Sequence, residues 1–195
     1  MKKCYVIFIS FLLLIFQGCS FLEMRTVEVD SYAVGYVPGG TYYLVADNTG
    51  LFTLQTEQLS EQLAQLLAQK GYTRVFNQSN AQYIITYQYR VKGPYQGSEI
   101  VPVMDQPPWW GPGPLPPPSP SWNQAVQYYT YYLQELFISA TGQSGTPIWQ
   151  VKGSLNTATS DIRGAYPFIL EGISSYIDKN SGQVVSVDVQ PPSSN

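Results

Sequence analysis

One segment near the middle of the chain alternates between two sets of side chains with a period of two. It reads AQYIITYQYRV over residues 81–91. Successive side chains of a β-strand point to opposite faces of its sheet. One face of this strand therefore carries Tyr83, Ile85, Tyr87, Tyr89 and Val91, and the more polar other face carries Ile84, Thr86, Gln88 and Arg90. The pattern predicts a strand in a sheet that is buried on one face and partly solvated on the other.

Further stretches rich in β-branched and aromatic residues predict the other strands. These are residues 26–34, 41–46, 72–76, 125–140, 148–158 and 183–189. The chain also contains two segments that predict helices. The first is marked by leucines at helical spacing, Leu59, Leu63, Leu66 and Leu67, followed by Gly71. The second covers residues 166–182 and has Pro167 in its first turn.

The resulting element order is β-β-α-β-β-β-β-α-β. It predicts an α+β fold: a two-layer domain with a largely antiparallel sheet of about five to seven strands and two helices on one face. A chain of 195 residues is long enough for one such core, so we expect a single domain over residues 26–189. Residues 190–195 are predicted to be a flexible tail.

A proline- and tryptophan-rich loop is predicted to interrupt this domain at about residues 93–122. The stretch between the flanking strands holds ten of the 15 prolines. It also contains Trp109, Trp110 and Trp122. Loops of this length are usually functional or disordered. The segment is therefore either a mobile hairpin loop without a specific partner or a contact surface. As a contact surface, it would insert at a membrane interface or bind a partner protein or glycan.

The amino terminus has the pattern of a secretory signal. Lys2 and Lys3 precede an apolar run over residues 5–16, which is too short to span a bilayer. The run ends in Gly18 and Cys19, which resembles the bacterial lipobox. That resemblance implies cleavage after residue 18, acylation of Cys19, and a lipidated tether over residues 19–25. The alternative is an ordinary signal peptide, residues 1–18, beside an incidental cysteine.

By analogy with such lipoproteins, Ser20 after the lipidated cysteine implies the outer membrane, with the domain on its periplasmic face. Membrane lipid, reached through acylated Cys19, is therefore one predicted partner. The only other cysteine, Cys4, lies in the signal, so the mature chain keeps a single thiol and forms no disulfide of its own.

Composition argues against several classes of function. The chain has no histidine, which removes the common nucleophile–base and histidine–metal systems. Its basic residues are few and scattered, so nucleic acid is not an expected partner. Asp161 is predicted to cap a helix or pair with Arg163, although a pair of facing carboxylates in a groove stays open. We expect no enzyme activity and no cofactor or metal.

A run of tyrosines, YYTYY over residues 128–132, falls on a predicted strand. Alternation places Tyr129 and Tyr131 on one face and Tyr128 and Tyr132 on the other. The rings either pack across strands within the sheet or form a surface that stacks on sugars or on a partner's apolar side chains. The candidate contact residues are Trp109, Trp110, Trp122, Tyr129 and Tyr131.

Several blocks of the sequence resemble one bacterial lipoprotein family. They are VDSYAV, GGTYYLV, LAQKGYTRV, SNAQYIITYQY and the long block from PIWQVKGSLNTATSDIRGAYPF to the closing strand. Together they resemble the lipoprotein family of the domain of unknown function 4136 over about residues 26–189. The resemblance implies an envelope lipoprotein with a small α+β domain and supplies no catalytic residues.

These observations predict a membrane-anchored, non-enzymatic envelope scaffold or accessory protein that binds an envelope protein partner. The alternative is a module that binds peptidoglycan or another glycan through tyrosine and tryptophan stacking.

Overall fold

The computed structural model describes residues 24–35, 39–47, 53–104 and 122–190. Seven strands and two α-helices make up this part of the chain. The strands are β1 (Arg25–Ala33), β2 (Thr41–Ala46), β3 (Thr73–Arg74), β4 (Tyr83–Met104), β5 (Trp122–Gly142), β6 (Pro147–Thr157) and β7 (Val185–Val189). The helices are α1 (Thr53–Gln69) and α2 (Ile162–Ser174).

The seven strands form one sheet in the order β3-β2-β4-β5-β6-β1-β7. The neighbours from β4 to β7 are antiparallel, whereas β2 pairs in parallel with both β3 and β4. The parallel pairing of β2 with β4 follows from the chain crossing over through α1, since parallel strands need such a connection. The predicted α+β fold with a largely antiparallel sheet and two helices is confirmed.

Helix α1 forms where the leucine spacing predicts it. Leu59, Leu63, Leu66 and Leu67 are all buried in the core. The helix ends at Gln69, and Gly71 adopts a φ of 87°, a left-handed conformation that favours glycine after a helix. The Tyr72 amide then donates to the Leu67 carbonyl, which closes the helix end.

Helix α2 begins earlier than the sequence pattern predicts. Its first residue is Ile162, and Asp161 caps it by accepting a hydrogen bond from the Arg163 amide at 3.0 Å. Pro167 therefore lies inside the helix rather than in a first turn, so the predicted start was wrong. The cap decides the start because its carboxylate satisfies an amide that has no partner within the helix.

Both helices cover the same face of the sheet. The Tyr87 hydroxyl, on β4, donates to the Thr56 carbonyl of α1 at 2.9 Å. The Tyr166 hydroxyl, on α2, donates to the Leu59 carbonyl at 3.0 Å, which joins the two helices. Helix α2 approaches β6 closely at Gly153, where a Cβ atom would lie 2.6 Å from the Ile173 side chain. We call the face of the sheet opposite the helices the open face.

Strands β4 and β5 continue well beyond their neighbours in the sheet. β6 pairs with β5 only as far as Tyr132, and β2 pairs with β4 only as far as Tyr87. Beyond these points, within the described part of the chain, β4 and β5 pair only with each other, from the pair Tyr95–Tyr131 to the pair Met104–Trp122. We call residues 95–104 and 122–131 the β4–β5 ribbon.

The ribbon corrects the predicted extent of the proline-rich loop. β4 was expected to end near Val91, because Gly93, Pro94 and Gly97 are residues typical of turns. The structure instead accommodates them in a β-bulge between Lys92 and Tyr95, with Gly93 at a φ of 119°. Residues 105–121 of the predicted loop lie outside the described residues.

Candidate functional site

Three tyrosine rings gather on the open face where the ribbon leaves the sheet. Tyr95 of β4 lies opposite Tyr131 of β5, and their ring centres are 5.5 Å apart. The Tyr129 ring is 6.1 Å from that of Tyr131. Tyr95 and Tyr129 are 42% and 48% exposed, so their rings present aromatic surface to solvent. We call Tyr95, Tyr129 and Tyr131 the tyrosine surface.

The position of the Tyr129 ring depends on a glycine in the partner strand. Gly97 lies opposite Tyr129, and a Cβ atom at Gly97 would come within 2.6 Å of the Tyr129 ring. The ring therefore covers the glycine backbone, an arrangement that pins strand register and fills the space that glycine leaves.

A shallow groove of about 540 Å³ adjoins the tyrosine surface. Besides Tyr129 and Tyr131, the residues that line it include Ser98, Asn156 and Thr157. No charged residue lines it within the described part of the chain. Flat aromatic rings beside neutral hydroxyl and amide groups suit an uncharged ligand, either a sugar or a peptide segment.

The alternation predicted for the tyrosine run is present in the structure. Tyr129 and Tyr131 share one face of β5, and Tyr128 lies on the other face, where it is 75% exposed. Within the ribbon, these rings are therefore not packed in the core as Tyr42, Tyr87 and Tyr166 are.

A cluster of charged residues lies farther along the open face. Glu135 of β5 pairs with Lys92 of β4 at 2.5 Å and with Lys152 of β6 at 2.8 Å. Burial of the Glu135 carboxylate on its own raises its pKa, but the hydrogen bonds and charges of the two lysines outweigh this and lower it overall. The carboxylate stays ionised and joins three adjacent strands, which is a structural role.

A buried polar network lies on the helix side of the same region. Gln134 is fully buried; its carbonyl accepts from the Tyr89 hydroxyl, and its amide donates to Thr157 at 2.8 Å and to the Thr159 carbonyl at 3.0 Å. Burial, with a smaller effect from the Asp161 charge, raises the pKa of Tyr89 well above its ordinary value. The hydroxyl therefore keeps its proton and acts as a donor.

A family model described as "Domain of unknown function (DUF4136)" matches residues 27–165. The chain belongs to the DUF4136 family. No curated protein is similar to it in sequence.

Solved structures that match the chain include two PelC dodecamers from Paraburkholderia phytofirmans. A point variant in space group C2 shares 10% identity, covers 79% of this chain and 99% of its own, and has a TM-score of 0.45. The dodecamer in space group P6 shares 11% identity, covers 81% and 99%, and has a TM-score of 0.43.

In this DUF4136 chain, Asp161 has the role predicted for it. Besides capping α2, its carboxylate pairs with the Arg163 guanidinium at 2.8 Å. The hydrogen bonds from Arg163 lower the pKa of Asp161. Among the described residues, no group of three or more histidine, cysteine or acidic side chains could hold a metal ion. No helix in that part of the chain is both long and apolar enough to cross a membrane.

The sequence-predicted contact residues fall into two groups. Tyr129 and Tyr131 lie together in the tyrosine surface, and Trp122 begins β5 opposite Met104. Cys19, Trp109 and Trp110 lie outside the described residues. Sequence reasoning missed Tyr95 and Gly97, because both follow Gly93 and Pro94 and were assigned to the loop. The available signal for a strand was the aromatic and β-branched content of the stretch, with Tyr95, Ile100, Val101 and Val103.

Proposed function

We propose that this DUF4136 protein is a lipid-anchored, non-enzymatic scaffold or accessory protein of the bacterial envelope. Acylated Cys19 holds it at the periplasmic face of the outer membrane, and the tyrosine surface binds a protein partner. One observation carries the proposal: Tyr95, Tyr129 and Tyr131 form a half-exposed aromatic surface beside a groove without charged lining residues.

A protein partner suits the chemistry of this surface. Tyrosine supplies a large contact area at low conformational cost, and its hydroxyl retains a hydrogen bond at the rim of an interface. The ring of Tyr131 supports both neighbours, so the three side chains act as one patch. The missing histidine supports a role in binding rather than catalysis.

Site-specific photocrosslinking in cells tests the partner. A photoreactive amino acid replaces Tyr129, and in a matched control it replaces Tyr32, which is 59% exposed on β1. We expect the Tyr129 position to capture a discrete protein that the Tyr32 position does not. Equal capture at both positions, or capture at neither, contradicts the proposed surface.

Acylation is tested separately, on the full precursor. Mass spectrometry of the amino-terminal peptide from isolated membranes is expected to show acyl chains on Cys19 and cleavage after residue 18. A Cys19→Ser variant is expected to lose both the acyl chains and membrane attachment, because two or more chains give stable anchoring. An unmodified Cys19 in the wild-type protein contradicts the anchor.

Glycan binding is the second candidate, and the neutral groove favours it. Ser98 and Asn156 line the same groove as the rings, so hydroxyl and amide groups lie near the aromatic surface, a combination that suits sugar hydroxyls and sugar faces. Co-sedimentation with purified peptidoglycan sacculi tests this candidate. We expect Tyr129→Ala to reduce pelleting and Tyr32→Ala to leave it unchanged; wild-type protein that stays in the supernatant contradicts it.

A further inference from the structure

The far part of the β4–β5 ribbon, by which we mean the stretch from the Ser98–Tyr128 pair to the Met104–Trp122 pair, exposes apolar side chains on both of its faces. Tyr128, Ile100, Val126 and Val103 are 75%, 65%, 54% and 40% exposed. Ile100 and Val126 lie directly opposite each other. Glu99 is the one charged residue among residues 95–104 and 122–131.

Exposing these apolar side chains on a two-stranded ribbon to water is unfavourable. A two-stranded hairpin is marginally stable by itself, and among the described residues neither strand of the ribbon pairs with a further strand. Contiguous exposed apolar side chains mark a surface that contacts another molecule or a membrane. The identity of that occupant follows from where the ribbon lies relative to the amino terminus.

The ribbon leaves the sheet at the end where β1 begins. Glu28 of β1 lies opposite Ser154 of β6, and continuing that antiparallel register places Arg25, the first residue of β1, at the level of Thr157. Thr157 lies opposite Tyr132 of β5, which adjoins the ribbon. The chain toward Cys19 and the ribbon therefore depart from the same end of the domain.

The ribbon is longer than the distance that the chain from Cys19 to Arg25 can span. From the Tyr95–Tyr131 pair to the Met104–Trp122 pair, the ribbon extends about 30 Å. The chain from Cys19 to Arg25 spans about 20 Å when fully extended. With a lipid anchor at Cys19, the distance from the bilayer to the base of the ribbon is therefore shorter than the ribbon itself.

We propose that the far part of the ribbon lies in the interface of the bilayer that carries the Cys19 anchor, with Ile100, Val103, Val126 and Tyr128 as its contact residues. This inference rests on the anchor of the proposed function. Tyrosine favours the membrane–water interface, and aliphatic side chains favour the acyl boundary. Because the ribbon has no lysine or arginine, it contacts lipid without needing anionic headgroups.

A single-cysteine label tests the contact in the full precursor, expressed in cells and isolated with its acyl chains. Acylation consumes the one thiol of the mature chain, so an introduced cysteine is a unique labelling site. Gln124→Cys places a fluorophore on the exposed ribbon, and the control Ser144→Cys places it in the exposed β5–β6 turn at the opposite end of the sheet. Each protein is reconstituted in phosphatidylcholine vesicles.

Nitroxide attached to lipid headgroups is expected to remove most of the fluorescence at position 124, and aqueous iodide is expected to quench it little. At position 144, iodide is expected to remove most of the fluorescence and the headgroup nitroxide is expected to quench it little. Added phosphatidylglycerol is expected to leave both quenching results unchanged. If the nitroxide quenches position 124 only when phosphatidylglycerol is present, the contact is not apolar and the proposal is overturned.

Paired substitutions identify the residues that carry the contact. Ile100→Asp combined with Val126→Asp is expected to restore iodide quenching at position 124 to the level at position 144. Val34→Asp, at an 84% exposed valine away from the ribbon, is expected to change nothing. If iodide gains access to position 124 in both the double variant and Val34→Asp, or in neither, the assignment of Ile100 and Val126 as contact residues is overturned.

The remaining outcomes separate this inference from the proposed anchor. Acylated protein whose position 124 is as open to iodide as position 144 overturns the ribbon contact and leaves the anchor intact. If protection of position 124 from iodide rises with protein density and the nitroxide does not quench it, the occupant is a second copy of the protein. That outcome also overturns the ribbon contact with lipid. Unacylated Cys19 overturns both, because the distance argument then has no anchor.

Discussion

The ring of Tyr129 covers the backbone of Gly97, its partner across the β4–β5 ribbon. No larger residue fits at that position without moving the ring, because an added Cβ atom would lie 2.6 Å from it. The tyrosine surface thus depends on a glycine that carries no side chain of its own.

Gly97→Ala is therefore expected to weaken binding at the tyrosine surface while leaving the fold intact. The added methyl group displaces the Tyr129 ring, so photocrosslinking from position 129 decreases and the ring resonances of Tyr129 shift in NMR spectra. Gly142→Ala is the control, since the nearest atom to an added Cβ there is 3.7 Å away. Equal effects of the two substitutions would contradict the dependence on ring position.

Gly153→Ala is expected to destabilise the domain. The added Cβ would lie 2.6 Å and 2.7 Å from the side chains of Ile173 and Ile169, which forces α2 away from β6. Overpacking of this kind costs about 1–3 kcal/mol. Chemical denaturation measures the loss of unfolding free energy.

Gly164→Ala, within helix α2 itself, is expected to have the opposite effect on stability. No atom lies within 4 Å of an added Cβ there, and alanine favours a helix over glycine by about 1 kcal/mol. The variant is therefore expected to unfold at a higher denaturant concentration than wild type. A loss of stability at Gly164 as large as that at Gly153 would show that close approach is not the cause.

Glu135→Gln is expected to lower stability at neutral pH and to have less effect in acid. The folded state lowers the pKa of Glu135 below 4.5, so the ion pairs contribute above that pH and lose their contribution as pH falls through the folded value. Both lysines are nearly half exposed, so the contribution is about 1 kcal/mol.

Thermal unfolding of wild type and variant across this pH range checks the prediction, and the two curves are expected to converge in acid. Glu61→Gln, in a surface pair with Arg74, is the control and is expected to follow wild type throughout. A constant difference between wild type and Glu135→Gln at every pH would rule out the ionised pair as its source.

Gln134→Leu is expected to cost about 1–3 kcal/mol, because it removes the buried groups that bond Tyr89, Thr157 and the Thr159 carbonyl. Gln127→Leu, at an exposed position of the same strand, is the control and is expected to change the unfolding free energy little. Comparable unfolding curves for the two variants would contradict a stabilising network.

Some elements could be predicted from sequence because their cause is local. Helix α1 follows from leucines three and four residues apart, and that spacing places them on one side whatever they pack against. The start of α2 was missed because Pro167 also fits a first turn, and only the bond from the Arg163 amide to Asp161 shows where the helix begins.

By itself, the sequence determined the α+β class, the strand order along the chain and the faces on which Tyr129 and Tyr131 lie, because alternation and helical spacing depend on backbone geometry alone. Only the tertiary structure decided that β4 continues past Gly93 and Pro94, since a strand that contains turn residues persists only when a partner strand pairs with it. That pairing creates the tyrosine surface, and the registers of β1 with β6 and of β6 with β5 place the ribbon at the end of the domain where β1 begins.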